Sequence, residues 1–216
     1  MPAPKRLTCA ECLRPLSTCI CRWITPTDHV VEVVVLQHPL EVGHAKGSAR
    51  LLHLSLPNSA LTIGEEFDPD KLQTLICGSL RTPSKSAVLA PKHSILLYPD
   101  SPQAPVVGMP APPAMAASAM LDLSRIRLIV LDGTWRKSRK MLYLNPLLQQ
   151  LPRLALCDMP VSHYRIRKAH KPDQLSTLEA TCAALAQLEG NAEAWVPLLA
   201  AFDGFVSQQS EHHESR

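Results

Sequence analysis

Apolar residues fall along this chain in short strand-like runs, separated by stretches with the three- and four-residue spacing of helices. Val30-Val31-Glu32-Val33-Val34-Val35-Leu36 is the first run. It is apolar on both faces, as a central strand of a parallel sheet is. Gln37-His38-Pro39 ends it, because proline brings no N–H to a ladder. Ser94-Ile95-Leu96-Leu97-Tyr98, stopped by Pro99, and Arg127-Leu128-Ile129-Val130-Leu131 read the same way. Shorter strand candidates lie at 61–63, 72–77 and 153–157. Helices are predicted over 44–56, ended by Pro57-Asn58, and over 135–144, broken at Asn145-Pro146. Ser176-Thr177-Leu178-Glu179 is a capping box, with Glu179 as the capping partner. Leu178, Cys182, Leu185 and Leu188 continue it at helical spacing up to Gly190, a natural stop. A last helix covers 192–208, with Pro197 near its start. Strands alternating with helices predict an α/β fold: a mainly parallel sheet flanked by helices. There is no internal repeat.

A chain of 216 residues fits one such domain with a small appendage. The appendage is the cysteine-rich segment 1–25, the α/β domain spans 26–209, and 210–216 reads as a disordered tail. Within the domain, 101–120 changes character. Pro102, Pro105, Pro110, Pro112 and Pro113 lie there among alanines and methionines, which suits a surface insertion and not a regular element. The opening Met1-Pro2-Ala3-Pro4-Lys5-Arg6 has no apolar signal region, and no apolar stretch is long enough to span a bilayer. The expectation is a cytoplasmic protein with no membrane partner. In that compartment seven cysteines do not make a disulfide framework.

Cys9-x2-Cys12-x6-Cys19-x-Cys21 puts four thiols in a span too short to bury a core of its own. Four thiolates around a structural Zn²⁺ would order it, with an iron–sulfur cluster as the alternative. Cys77, Cys157 and Cys182 lie in apolar elements and are read as packing residues.

Leu131-Asp132-Gly133-Thr134-Trp135 closes the third strong strand and opens a helix carrying Arg136, Lys137, Arg139 and Lys140. An acid at the carboxyl end of a buried strand stands where open α/β sheets bind ligands. Gly133 allows a sharp turn or a close approach, and Thr134 can cap the helix. Gln37-His38-Pro39-Leu40-Glu41 offers polar groups at the same sheet edge, although a lone His38 is more often structural. Gly47-Ser48-Ala49-Arg50 offers small residues and a guanidinium that suit an anion. His163-Tyr164-Arg165-Ile166-Arg167-Lys168-Ala169-His170-Lys171 is a second basic cluster with an interleaved aromatic. The formal net charge is only +3, so the two basic clusters, rather than the total, argue for RNA. No P-loop, dinucleotide fingerprint, nucleophile elbow or His-Glu-x2-His is present.

Taken together, the motifs resemble the DTW-domain family of tRNA-uridine aminocarboxypropyltransferases. The matching blocks are Cys9, Cys12, Cys19 and Cys21; Gln37-His38-Pro39 with Glu41; Leu97-Tyr98-Pro99; Leu131 through Arg136; Asn145-Pro146; Tyr164-Arg165-Ile166-Arg167; and Leu175-Ser176-Thr177-Leu178-Glu179-Ala180. Gly47-Ser48 stands where the family usually has Asn-Thr, and Lys137-Ser138 also departs from its pattern. The resemblance implies S-adenosylmethionine as donor, the 3-amino-3-carboxypropyl chain as the transferred group, N3 of a uridine in tRNA as acceptor, and methylthioadenosine as by-product. It further implies a SPOUT-like fold, with a knotted strand arrangement as one form.

On that basis Asp132 is the candidate catalytic residue, either as the base for the N3 proton or as a hydrogen-bond partner of donor or uracil. Tyr98, Pro99, Leu131, Gly133, Thr134, Gly47, Ser48, Arg50 and His38 are candidate donor contacts, and Trp135 walls that pocket or packs beneath it. Arg136, Lys137, Arg139, Lys140, Tyr164, Arg165, Arg167 and Lys168 are candidate RNA contacts. The alternatives are a SPOUT-like RNA methyltransferase and a non-catalytic zinc-ribbon RNA-binding protein. The uridine, the tRNAs and the oligomeric state stay open.

Overall fold

The β-branched runs become neighbouring strands of one sheet in the computed structural model. It describes residues 7–45, 47–78, 80, 92–99, 111–114, 122–157 and 175–214, with side chains described as far as 209. The strands are β1 (Glu32–Gln37), β2 (Ser59–Ile63), β3 (His93–Leu97), β4 (Ile126–Asp132) and β5 (Arg153–Leu154). They pair in the order β2-β1-β4-β3-β5, and every pairing is parallel. The helices are α1 (Ala49–Ser55), α2 (Pro69–Cys77), α3 (Trp135–Leu144), α4 (Pro146–Gln149), α5 (Thr177–Glu189) and α6 (Val196–Glu214).

The two faces of β1 sort these helices into layers. Val33 and Val35, with Leu128 and Val130 of β4, face α1, α5 and α6. Val34 and Leu36, with Ile129, face α2, α3 and α4. Burial on both sides is why these strands read as continuous apolar runs. The layering also fixes the ligand edge. The chain leaving β1 goes to α1 on one face, and the chain leaving β4 goes to α3 on the other. Two adjacent strands whose continuations part to opposite faces leave a crevice at their carboxyl ends. Here that crevice lies between Gln37 and Asp132, which are partners in the parallel register.

Several boundaries differ from the sequence expectation. The 72–77 run belongs to helix α2, not to a strand. Asp68 caps it by accepting from the Lys71 amide, Pro69 sits at its first position, and Leu72 and Ile76 are its buried i, i+4 pair. The helix expected over 44–56 starts only at Ala49, because Gly43 turns the chain at a φ of 74° and the carbonyls of His44, Ala45 and Gly47 accept from Arg14. The strand expected over 153–157 shrinks to Arg153–Leu154. The last helix runs through Glu214, past the expected start of a disordered tail at 210. That stretch holds no glycine or proline to stop it. Cys182 is buried as expected, and burial pushes its thiol up to about 12, but Cys157 is exposed and is not a packing residue. The 101–120 insertion lies outside the described residues apart from 111–114.

The cysteine-rich segment shares the main core. Cys12 and Ile20 belong to the same buried cluster as α5 and α6. Trp23 lies across Gly204 of α6 and donates its indole N–H to Gln208. A Cβ at position 204 would overlap the Trp23 ring. Gly204→Ala should therefore destabilise the chain through overpacking of about 1–3 kcal/mol, offset in part by the ~1 kcal/mol that alanine gains over glycine in a helix. Thermal unfolding should show a midpoint lower by a few degrees, and a raised midpoint would mean that this docking contributes little.

Candidate functional site

Asp132 is the last residue of β4, and its side chain is 6% exposed. Two neighbours hold it. Gln37 Nε2, from the paired position on β1, donates to Oδ2 at 2.9 Å. Thr177 Oγ1, from the first residue of α5, donates to Oδ1 at 2.6 Å. The backbone adds a third tie, since the His38 amide donates to the Asp132 carbonyl. These donors fix the orientation of the carboxylate.

Local sequence explains why Thr177 can reach it. Ser176 and Glu179 form both halves of the capping box, with the Glu179 amide donating to Ser176 Oγ and the Ser176 amide to Glu179 Oε2. Glu179 is thus the capping partner that the sequence predicts. Ser48, at the start of α1, accepts from the Leu178 amide at 3.3 Å. The beginning of α5 is fixed from both sides, and Thr177 is directed at the sheet edge.

On the other side of Asp132, Gly133 and Thr134 make the turn into α3. A Cβ at 133 would stand 3.1 Å from Lys137 Cβ, so glycine permits the helix to start directly over the strand end. Thr134 caps α3 by accepting from the Lys137 amide, as expected. Trp135 follows, 52% exposed, with its ring edge-on to Tyr98 at 5.9 Å between centroids and 81° between planes. Tyr98 lies at the end of β3, half-buried, and the Arg153 guanidinium sits 5.3 Å from its ring. Burial raises the Tyr98 hydroxyl above its usual range, against the pull of Arg153 and Arg139. Pro99 is exposed beside it.

Other predicted residues have internal partners. His38 is buried; its Nδ1 accepts from the Leu40 amide, and Nε2 donates to Glu65 at 2.9 Å. Glu65 also meets Lys140 at 2.8 Å, and Lys140 and His38 together hold its carboxyl below the usual range. Lys137 pairs with Glu41 at 2.7 Å. Arg136 and Arg139 are exposed. Arg50 reaches away to the Glu11 carbonyl, and the Gly47 carbonyl accepts from Arg14. The structure thus gathers Asp132, Gly133, Thr134, Trp135 and Tyr98 at one edge. It places Ser48 behind that edge and directs Arg50 to the cysteine segment. Tyr164, Arg165, Arg167 and Lys168 lie outside the described residues.

Sequence reasoning placed Gln37 at the ligand edge without linking it to Asp132, and it gave no site role to Thr177 or Glu65. The first two stood inside motifs already singled out, but only the strand register and the docking of α5 bring them to Asp132. Glu65 carried no signal.

The four cysteines form a second centre. Their sulfurs all lie within 4.8 Å of one another, with Cys9 and Cys21 at 3.5 Å and Cys12 and Cys19 at 3.7 Å. Sulfurs at the corners of a zinc tetrahedron, each ~2.3 Å from the ion, are about 3.8 Å apart, so the donor set and spacing fit a four-coordinate ion. Leu13, at a φ of 59°, turns the chain just after Cys12, and the Leu13 amide returns to the Cys9 carbonyl. Backbone amides of Cys12 and Glu11 lower the Cys9 thiol to about 6, while burial and the neighbouring thiols raise Cys21 to about 12. Arg14 leaves the hairpin and donates to the carbonyls of His44, Ala45 and Gly47. No helix among the described residues is long and apolar enough to cross a membrane.

Comparison with known proteins places these features in a family. Proteins named tRNA-uridine aminocarboxypropyltransferase 2 align over most of the chain. The Macaca fascicularis protein is 28% identical over 98% of this chain and 66% of its own length. The Drosophila melanogaster protein is 27% identical over 89% of this chain and 70% of its own length. The Mus musculus protein is 26% identical over 97% of this chain and 66% of its own length. The chain therefore spans about two thirds of these relatives. No solved structure matches it. The sequence model of the DTW domain matches residues 6–210, and by that match over nearly its whole length the chain belongs to the DTW-domain family.

Proposed function

We propose that this chain transfers the 3-amino-3-carboxypropyl group of S-adenosylmethionine to N3 of a uridine in tRNA. The observation that carries the reading is the Asp132 carboxylate, oriented by Gln37 and Thr177 at the crevice where β1 and β4 part. The names of the relatives supply the reaction class.

A sulfonium carries three electrophilic carbons, and alignment with the nucleophile decides which one reacts. In this reading the bond that forms joins uridine N3 to the γ-methylene. The bond that breaks joins that methylene to sulfur, whose recovered electron pair neutralises the sulfonium and leaves methylthioadenosine. The N3 proton goes to Asp132. Leu131, Gly133 and Thr134 line the donor side, with Tyr98 and Pro99 at its rim. The partners that Ser48, His38 and Arg50 already have give them supporting roles. Arg136 and Arg139 supply cations for the tRNA, and Tyr164, Arg165, Arg167 and Lys168 are the further RNA contacts of this reading. The SPOUT-like likeness belongs to this reading, supported by the all-parallel sheet and its ligand edge. The four thiolates would hold a structural zinc, with no open position for chemistry.

Incubation with unmodified tRNA and S-adenosylmethionine labelled in the carboxyl carbon, followed by nucleoside mass spectrometry, tests the assignment. The expected result is label in a modified uridine together with released methylthioadenosine. A methylated nucleoside without carboxyl label would instead select the methyltransferase. Tight RNA binding with neither donor binding nor modification would select the binding module.

A further inference from the structure

We propose that Trp135 is the stacking platform for the acceptor base, an unpaired uridine, and not a wall of the donor pocket; this rests on the RNA-modifying reading above. The three tryptophans of the chain have different surroundings. Trp195 is 1% exposed in the core, and Trp23 lies across Gly204. Trp135 is 52% exposed, although it stands only three residues beyond the Asp132 carboxylate at the ligand edge. A half-exposed indole beside a buried acid presents a flat apolar surface that a planar ligand can cover.

Its support is built in. Tyr98 and Trp135 meet at near right angles, and a T-shaped contact of this kind fixes the indole without parallel stacking on it. Tyr98 is itself braced by Arg153 and by the α2–α4 side of the core. The charge around the indole fits a nucleotide. Arg139 stands one helical turn beyond Trp135, at i+4 on the same side of α3, and is exposed. Arg153 flanks the other side of Tyr98, and its Nε is buried without a hydrogen-bond partner among the described residues. The lysines of the same helix face elsewhere: Lys137 and Lys140 are paired with Glu41 and Glu65. An open aromatic face between two guanidiniums suits a splayed base with its flanking phosphates.

The test is titration of the full-length chain with a ten-nucleotide oligouridylate, followed by intrinsic fluorescence, and a parallel calorimetric titration with S-adenosylmethionine. The wild type should be quenched by the oligonucleotide, and Trp135→Phe should bind it with most of that quenching gone. Trp135→Leu should weaken oligouridylate binding roughly tenfold or more, with S-adenosylmethionine affinity unchanged. Arg139→Gln should weaken RNA binding and reduce the salt slope by about 1. Unchanged RNA affinity in Trp135→Leu would overturn the assignment, as would loss of S-adenosylmethionine binding in that variant. Quenching by RNA with no group transfer in any assay would uphold the platform while the transferase reading failed. Transfer with an unaltered tRNA KM in Trp135→Leu would uphold that reading and remove the platform.

Discussion

Asp132→Asn should lower turnover by at least about a hundredfold, the lower range for a lost general base, while leaving S-adenosylmethionine binding close to wild type. The variant is informative because the site can accommodate it. Thr177 Oγ1 and the Gln37 amide now both donate to the carboxylate. A hydroxyl can also accept, and the Gln37 amide can turn over, so an asparagine at 132 finds a partner for its new N–H. Asp132→Leu would not serve, since it strands two buried polar groups at roughly 1–3 kcal/mol each. Thr177→Val is the companion. It keeps the shape and removes one donor, so it should reduce kcat more than KM for the donor, and Thr177→Ser should restore it. Isothermal titration with the donor and single-turnover transfer to tRNA measure the two effects separately. Loss of donor binding in Asp132→Asn would make the carboxylate a binding group and end its role as base.

The parts of this site that were legible in the sequence are those set by local physics. The strand ending at Asp132, the Thr134 cap, the capping box and the Gly190 stop, at a φ of 67°, depend on residues within a few positions of one another. So does the four-cysteine group, whose members lie within one short span. Helix α2 carries a start signal in Asp68-Pro69, but 72–77, with four apolar residues in six, fits a short strand equally well when read alone. The partners of Asp132 were not legible. Gln37 reaches it through a parallel register and Thr177 through the docking of α5, across separations of 95 and 45 residues. The pairing of Lys137 with Glu41 and Lys140 with Glu65 was hidden for the same reason. A basic helix read in isolation looks like four free charges for RNA, Arg136, Lys137, Arg139 and Lys140. The fold pairs both lysines and leaves Arg136 and Arg139 exposed.

Removal of the metal from the four cysteines should lower the thermal midpoint by about 6–12 °C, corresponding to a loss of roughly 3 kcal/mol in a chain of this size. The segment has few means of its own to stay ordered. Among its described residues only Cys12 and Ile20 are fully buried, and Trp23 holds its far end to α6. A shared cation would order four sulfurs that lie within 4.8 Å, because thiolates that close repel each other without one. Elemental analysis should find about one zinc per chain; iron with visible absorbance would identify a cluster instead. Cys12→Ser should reproduce the effect, and Cys157→Ser, exposed and outside the group, should not. A midpoint indifferent to chelation would show that the segment folds without an ion. The same loss should reach Asp132. Arg14 of the hairpin holds the carbonyls of His44, Ala45 and Gly47; Ser48 follows them and anchors Leu178; and Thr177 beside it holds the carboxylate. Arg14→Gln should therefore lower turnover with the zinc retained, which separates this mechanical link from metal loss itself.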